Sequence, residues 1–294
     1  MIGLNSNIFH QDFLNQLAHL KMGLDLNVNQ GLSGARKSRA KGTSVEFSDF
    51  REYQLGDDIR RIDWNAYGRT DKLYIKQYME EKEGIFQIFL DTSASMNYGS
   101  VAKSQMALQV AAALAYVILR NLDRVYINEV KENSLQKGKG CAGMAAFPQL
   151  VNELGRISFD GKTRLSQTIL SRPVSAGGMS IIISDFLDKD GIEQAVRYLA
   201  YRKQRIVLVQ ILAKEEVEIA YEGTVQLKDM ETNEQLKITM SNAAVSEYQN
   251  ALKEMQTNLQ KLAVKYGGKY VKLRSDDNLT EVMLQAFSGV FGSR

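Results

Sequence analysis

Two kinds of hydrophobic pattern alternate along the second two thirds of this 294-residue chain. Short apolar runs rich in β-branched and aromatic residues occupy 85–90, 125–130, 178–184 and 205–212. Between them, 101–120, 149–155, 163–170 and 191–203 repeat apolar positions at helical spacing, and a long helix begins near Ser241. Strands that are apolar at almost every position need cover on both faces, which intervening helices supply. The pattern therefore predicts an α/β fold with a doubly wound, mainly parallel sheet. The strand ending at Asp91 is expected near the sheet centre. The stretch 106–119, apolar on nearly every side, is expected to be buried against it.

Two regions break this rhythm. Residues 214–240 hold short alternating stretches around the turn-like Met230, Glu231, Thr232 and Asn233, and predict an inserted β-hairpin. The first 80 residues form the other exception. Residues 8–24 are amphipathic and helical, 31–42 are basic and glycine-containing, and 44–79 are dense in charge and aromatics. We divide the chain into an N-terminal extension, 1–80, packing on a main domain, 81–294. The arm carrying Arg36, Lys37, Arg39 and Lys41 has two readings, a polyanion contact or a solvated flexible loop.

Composition narrows the function classes. Apolar residues at 44% and charged residues at 24% are those of a globular protein. A net charge of +3 gives no reason to expect nucleic acid as a partner. Cys141 is the only cysteine, so an intrachain disulfide and a thiolate metal cluster are both excluded. His10 and His19 are the only histidines, which argues against a multi-imidazole zinc site and against a histidine general base. The N-terminus lacks the pattern of a secretory signal, and 106–119 is shorter than the roughly 20 residues a membrane span needs. The expected location is cytoplasmic, with no membrane span.

The chemistry concentrates at Asp91, Ser93 and Ser95. An apolar strand ends in a carboxylate and then presents two hydroxyls at alternating positions, at the end of a parallel strand where such sheets bind ligands. These are hard oxygen donors suited to Mg²⁺, with Mn²⁺ or Ca²⁺ as substitutes. The loop is expected at the surface, where alanine substitutions at Asp91 and Ser93 would spare the fold. The second reading is that these residues only cap the following helix. A phosphate-binding loop at Gly155–Thr163 is rejected, because five residues rather than four separate Gly155 from Gly161. No G-x-S-x-G elbow appears. A metal-dependent hydrolase acting on phosphoesters is the enzymatic alternative, with bound Mg²⁺ activating water.

This D-x-S-x-S resembles the metal-ion-dependent adhesion site of von Willebrand factor type A domains. Thr163, in Gly161-Lys162-Thr163, and Asp185, after the strand 178–184, match that family's two later elements in order and separation. The resemblance implies that Ser93, Ser95 and Thr163 touch the ion, and that Asp91 and Asp185 hold it directly or through water. A haloacid dehalogenase resemblance fails, because Ser93 stands where that family has its second aspartate.

Upstream, the string from Phe50 through Arg51, Tyr53, Gly56, Asp57, Asp58, Arg60, Ile62 and Asp63 to Trp64 resembles the signature of the bacterial "domain of unknown function 58" family. Leu227 to Thr232 is similar to its inserted hairpin. By this resemblance the chain is a short soluble member without membrane helices. The resemblances imply a non-enzymatic, metal-dependent protein-binding module. The implied partner is a MoxR-type AAA+ ATPase or its client, and the implied role an adaptor or co-chaperone. The site would take an acidic side chain of the partner as a further ligand. From the residues alone, Asp57, Asp58, Arg60, Arg61 and Asp63 are expected to form a local charge network, with Ile62 and Trp64 packed as anchors. Direct contact with a partner is the alternative.

Overall fold

A computed structural model describes residues 9, 13, 15–17, 46–79, 83–131, 134–188, 190–219, 223–228 and 235–287. The basic arm at 31–42, most of the helix expected over 8–24 and the turn at 230–233 lie outside the described residues. Two compact units divide the chain: Lys37–Glu83, and Met1–Arg36 together with Gly84–Arg294.

In the smaller unit, β1 (Glu46–Glu52) pairs antiparallel with β2 (Tyr74–Met79), and the helix α1 (Trp64–Thr70) lies between them in sequence. The acidic residues of the 51–64 motif act locally. Asp57 pairs with Arg51 at 2.7 Å and accepts the Gln54 amide at 2.9 Å, closing a turn in which Gly56 takes a φ of +105°. Asp58 accepts from the Arg60 amide, and Asp63 caps α1 by accepting from the amides of Asn65 and Ala66. Ile62, Ala66 and Ile75 are buried. Trp64 is not: it is 64% exposed, edge-on to Tyr67 with ring centroids 6.3 Å apart. The expectation that Trp64 anchors this segment is thus corrected. The buried places around α1 are filled by Ile62 and Ala66, which leaves the indole at the helix start facing water.

The larger unit holds a seven-stranded sheet. In chain order its elements are β3 (Ile85–Asp91), α2 (Lys103–Arg120), β4 (Arg124–Lys131), β5 (Ser134–Lys137), β6 (Cys141–Ala142), α3 (Phe147–Leu154), α4 (Leu165–Leu170) and β7 (Met179–Ser184). They continue with α5 (Glu193–Tyr201), β8 (Arg205–Leu212), α6 (Lys214–Val217), the hairpin strands β9 (Gly223–Lys228) and β10 (Gln235–Met240), α7 (Asn242–Lys265), β11 (Lys269–Arg274) and α8 (Leu279–Ala286). The strand order is β11-β8-β7-β3-β4-β5, with β6 also on β4. The pairs β11/β8, β8/β7, β7/β3 and β3/β4 are parallel, and only β5 and β6 run antiparallel to β4. The sheet is mainly parallel and β3 is central, as the pattern predicts. The hairpin stands as its own two-stranded sheet.

Alternation along each strand splits the core into two layers. Ile88, Leu90, Ile181, Ile183, Val207 and Val209 join α2, α3 and α8 on one face, together with Phe13 and Leu17 from the N-terminal segment. Phe89, Ile182, Ile206 and Leu208 join α4, α5 and α7 on the other. Helix α2 buries fourteen of its eighteen residues, because its Val, Leu, Ala and Ile positions leave no polar stripe for water. Burying each large aliphatic side chain contributes about 1.5–3 kcal/mol, so this helix fixes the geometry of everything attached to its ends. The chain passes from β3 to β4 on one side and later returns with β7 on the other. The crevice at such a reversal lies beyond the carboxyl ends of β3 and β7.

Candidate functional site

Both acidic residues of the motif reach that crevice. Asp91 is the last residue of β3 and Asp185 directly follows β7. Asp91 and Ser93 are both fully buried, which corrects the expectation that these two side chains sit on an exposed loop. The Asp91 carboxylate receives the Ser93 amide at 3.0 Å on Oδ1 and the Ser184 hydroxyl at 2.6 Å on Oδ2. Burial, then the nearby Asp185 charge, push its pKa up to about 6, against the opposing effect of these hydrogen bonds. Alanine at position 91 would therefore leave buried donors unpaired.

The hydroxyls connect the two acids. Ser93 and Ser95 share a hydrogen bond of 3.0 Å between their Oγ atoms, and Ser95 Oγ donates to Asp185 Oδ2 at 2.9 Å. Asp185 Oδ1 accepts the Leu187 amide at 3.1 Å, and the Asp185 carbonyl accepts from Gln210 on β8 at 2.8 Å. Just past Asp185, Phe186 adopts a φ of +58°. A bulky side chain rarely takes this left-handed conformation, and such strain persists only where the surroundings enforce it. Here the Phe186 amide is held by Ser184 Oγ and its ring is buried in the core.

Thr163 arrives from a third loop. The Gly161 carbonyl accepts the Ala94 amide at 2.9 Å, and the Asp160 amide donates to the Thr92 carbonyl at 3.0 Å. Further on, the Leu165 amide donates to Asp188 at 3.1 Å. These bonds pin the loop to both the Asp91 and the Asp185 segments, and Gly161 permits its turn with a φ of +72°. The Thr163 hydroxyl oxygen is buried and has no hydrogen-bond partner. A buried unpaired hydroxyl costs about 1–3 kcal/mol, a cost that a bound water or ion would offset. Ser93, Ser95 and Asp185 are thus joined by hydrogen bonds, Asp91 is tied to them through Ser93 and Ser184, and Thr163 is held on the adjoining loop.

Three further residues were not singled out in the sequence. Ser184 orients Asp91. Lys103, at the start of α2, donates to Asp185 Oδ2 at 2.8 Å and to Glu216 Oε1 at 2.7 Å, with its side chain fully buried. Burial works against the charge on Lys103, but Asp185 and Glu216 together outweigh it and hold the ammonium above its usual pKa. The only sequence signal for Lys103 was a lone lysine abutting the most apolar helix.

The donor set suits a hard divalent cation: three hydroxyls, one of them unpartnered, and two carboxylates. Ser93, Ser95 and Thr163 are the side chains available as ligands. Asp91 and Asp185 would supply charge and orientation to such an ion. Among the described residues no group of three His, Cys, Asp or Glu side chains is placed to hold a metal, so any ion here depends on the hydroxyls. No helix among the described residues is long and apolar enough to cross a membrane.

The chain is 25% identical over 272 residues to uncharacterized protein Rv1480 of Mycobacterium tuberculosis (strain ATCC 25618 / H37Rv), covering 89% of this chain and 86% of that one. The same figures hold for uncharacterized protein Mb1516 of Mycobacterium bovis. Among solved structures, conserved hypothetical protein BatB from Bacteroides thetaiotaomicron is similar with a TM-score of 0.45 and 15% identity, over 70% of this chain and 97% of that one. The SpRpn10 VWA domain is similar with a TM-score of 0.39 and 10% identity, over 72% and 100%. Residues 49–258, well over half of the chain and including the whole 50–64 motif, Asp91 and Asp185, match the family described as "Protein of unknown function DUF58", and the chain belongs to that family.

Proposed function

We propose that this chain is a non-enzymatic protein-binding module in which a divalent cation, Mg²⁺ in the cell, sits at Ser93, Ser95 and Thr163 and recruits an acidic side chain of a partner. The observation that carries this reading is the buried, unpartnered Thr163 hydroxyl on a loop fixed to both the Asp91 and Asp185 segments. A loop that served only to cap the short helical turn Ala94–Asn97 would need no third hydroxyl, and Ser93 at the start of that turn makes no side-chain cap bond. Mg²⁺ keeps part of its water shell, which an incoming carboxylate replaces. Two carboxylates offset by one divalent ion do not repel that further anion.

The partner expected from the family resemblance is a MoxR-type AAA+ ATPase or its client, with this chain as adaptor. Binding to a purified MoxR-type ATPase, compared in Mg²⁺ and in EDTA, tests the reading. Capture should be lost in chelator and in Thr163→Val, which removes the hydroxyl and keeps the shape. Capture unchanged by both, but lost on altering the exposed Arg60 or Arg61, would move the interface to the 51–64 segment. Mg²⁺-dependent turnover of a phosphoester would return the hydrolase alternative.

A further inference from the structure

Lys103 occupies a position that physical chemistry disfavours twice. Its side chain is fully buried, which strips the ammonium of water. It is also the first residue of α2, where the helix end carries partial positive charge and repels a cation. The N-cap, Ala102, offers no side-chain bond to offset this. What holds Lys103 is the pair of carboxylates, Asp185 and Glu216, with the Tyr98 ring centroid a further 5.9 Å from Nζ.

The oxygen that Lys103 takes is the contested one. Asp185 Oδ2 accepts both Lys103 at 2.8 Å and Ser95 at 2.9 Å, while Oδ1 is occupied by the Leu187 amide. A cation drawing on Ser95 or Asp185 must compete with an ammonium already in place. Glu216 is held independently of that contest. Its Oε2 accepts the Ala213 amide at 2.7 Å and its carbonyl accepts the Tyr248 hydroxyl at 3.0 Å. It therefore offers Lys103 a fixed second partner.

We infer that Lys103 is a tethered competitor for the divalent ion: it neutralises Asp185 when no ion is bound, and ion binding releases it onto Glu216. The inference rests on the cation site proposed above and adds its regulation. The charge spent on Lys103 keeps the site's own affinity low, so that the ion is held firmly only when a partner's carboxylate joins it. Glu216 acts through Lys103, by drawing the ammonium away from Asp185.

Mn²⁺ titration of the full chain, read by electron paramagnetic resonance of the free ion, tests this on the wild type, Lys103→Met, Glu216→Gln and the double variant. Lys103→Met should bind Mn²⁺ about tenfold tighter or more, the scale on which a neighbouring unit charge biases a carboxylate. Glu216→Gln should bind more weakly, since Lys103 then rests on Asp185 alone. In the double variant the Glu216→Gln effect should vanish. A silent wild type beside a binding Lys103→Met supports the inference. Equal or weaker binding by Lys103→Met overturns it, as does a Glu216→Gln loss that persists undiminished in the double variant, which would mark a simple field effect. If Lys103→Met does not fold, unchanged binding by Glu216→Gln overturns the inference by itself. No Mn²⁺ bound by the wild type or by a folded Lys103→Met, even at millimolar concentration, overturns the cation site itself.

Discussion

Ser184 donates a 2.6 Å hydrogen bond to Asp91, joining residues 93 apart in sequence at the carboxyl ends of two adjacent parallel strands. The same hydroxyl accepts the Phe186 amide at 2.9 Å. One buried side chain thus orients the first acid of the site and fixes the backbone turn that carries the second. This dictates how the site should respond to change.

Ser184→Ala should leave both a buried carboxylate oxygen and the Phe186 amide short of a partner. The expected loss is about 1–3 kcal/mol for the unsatisfied groups. Urea denaturation at pH 7 measures it. A variant as stable as the wild type would show that Asp91 does not depend on this bond.

The Asp91 carboxyl, with its folded pKa near 6, predicts an unusual pH dependence. A raised pKa means the folded chain holds the proton more tightly than the unfolded chain does. Stability should therefore increase as pH falls through about 6, and the gain is complete below about 4, the ordinary aspartate value. The gap of about two units corresponds to about 3 kcal/mol. Asp91→Asn, followed by denaturation in chelator across this window, should remove the dependence. A variant with the same slope as the wild type would place the titration elsewhere.

Lys103→Met removes the only cation bonded to Asp185 and Glu216 among the described contacts. Breaking a buried pair from one side costs about 3–5 kcal/mol, because the charge left behind is uncompensated. Stability in EDTA should fall by that order, and less in Mg²⁺ through binding linkage. Thermal denaturation in the two buffers gives both values. Equal loss in each would exclude the divalent ion as a substitute for the ammonium.

Within the 51–64 segment, packing and exposure separate two neighbours. Ile62 is buried and bridges Ile75, so Ile62→Ala should cost about 2–5 kcal/mol. Trp64→Ala, at an exposed indole, should change stability by no more than about 0.5 kcal/mol. Chemical denaturation of both variants is the check. A large loss at Trp64 would restore it as an anchor.

Hydrophobic periodicity was enough to give the central strands of the sheet and to locate the polar cluster that follows β3. Continuous apolar runs at 85–90, 178–184 and 205–212 admit only strands covered on both faces, and all three lie inside the parallel sheet. Asp91, Ser93 and Ser95 were legible because a polar cluster interrupts a buried strand at its end. Strand β11 and helix α8 were not legible. In Lys269–Arg274 only Val271 and Leu273 are buried, since an edge strand needs few apolar positions and so gives a weak signal. Tertiary structure alone decided that Asp91 is buried, that Trp64 is exposed, and that Lys103 meets Asp185 and Glu216 at separations of 82 and 113 residues. Local periodicity records which face of an element avoids water. It carries no record of which distant charge will close a crevice, because that pairing exists only once the sheet has set the order of its strands.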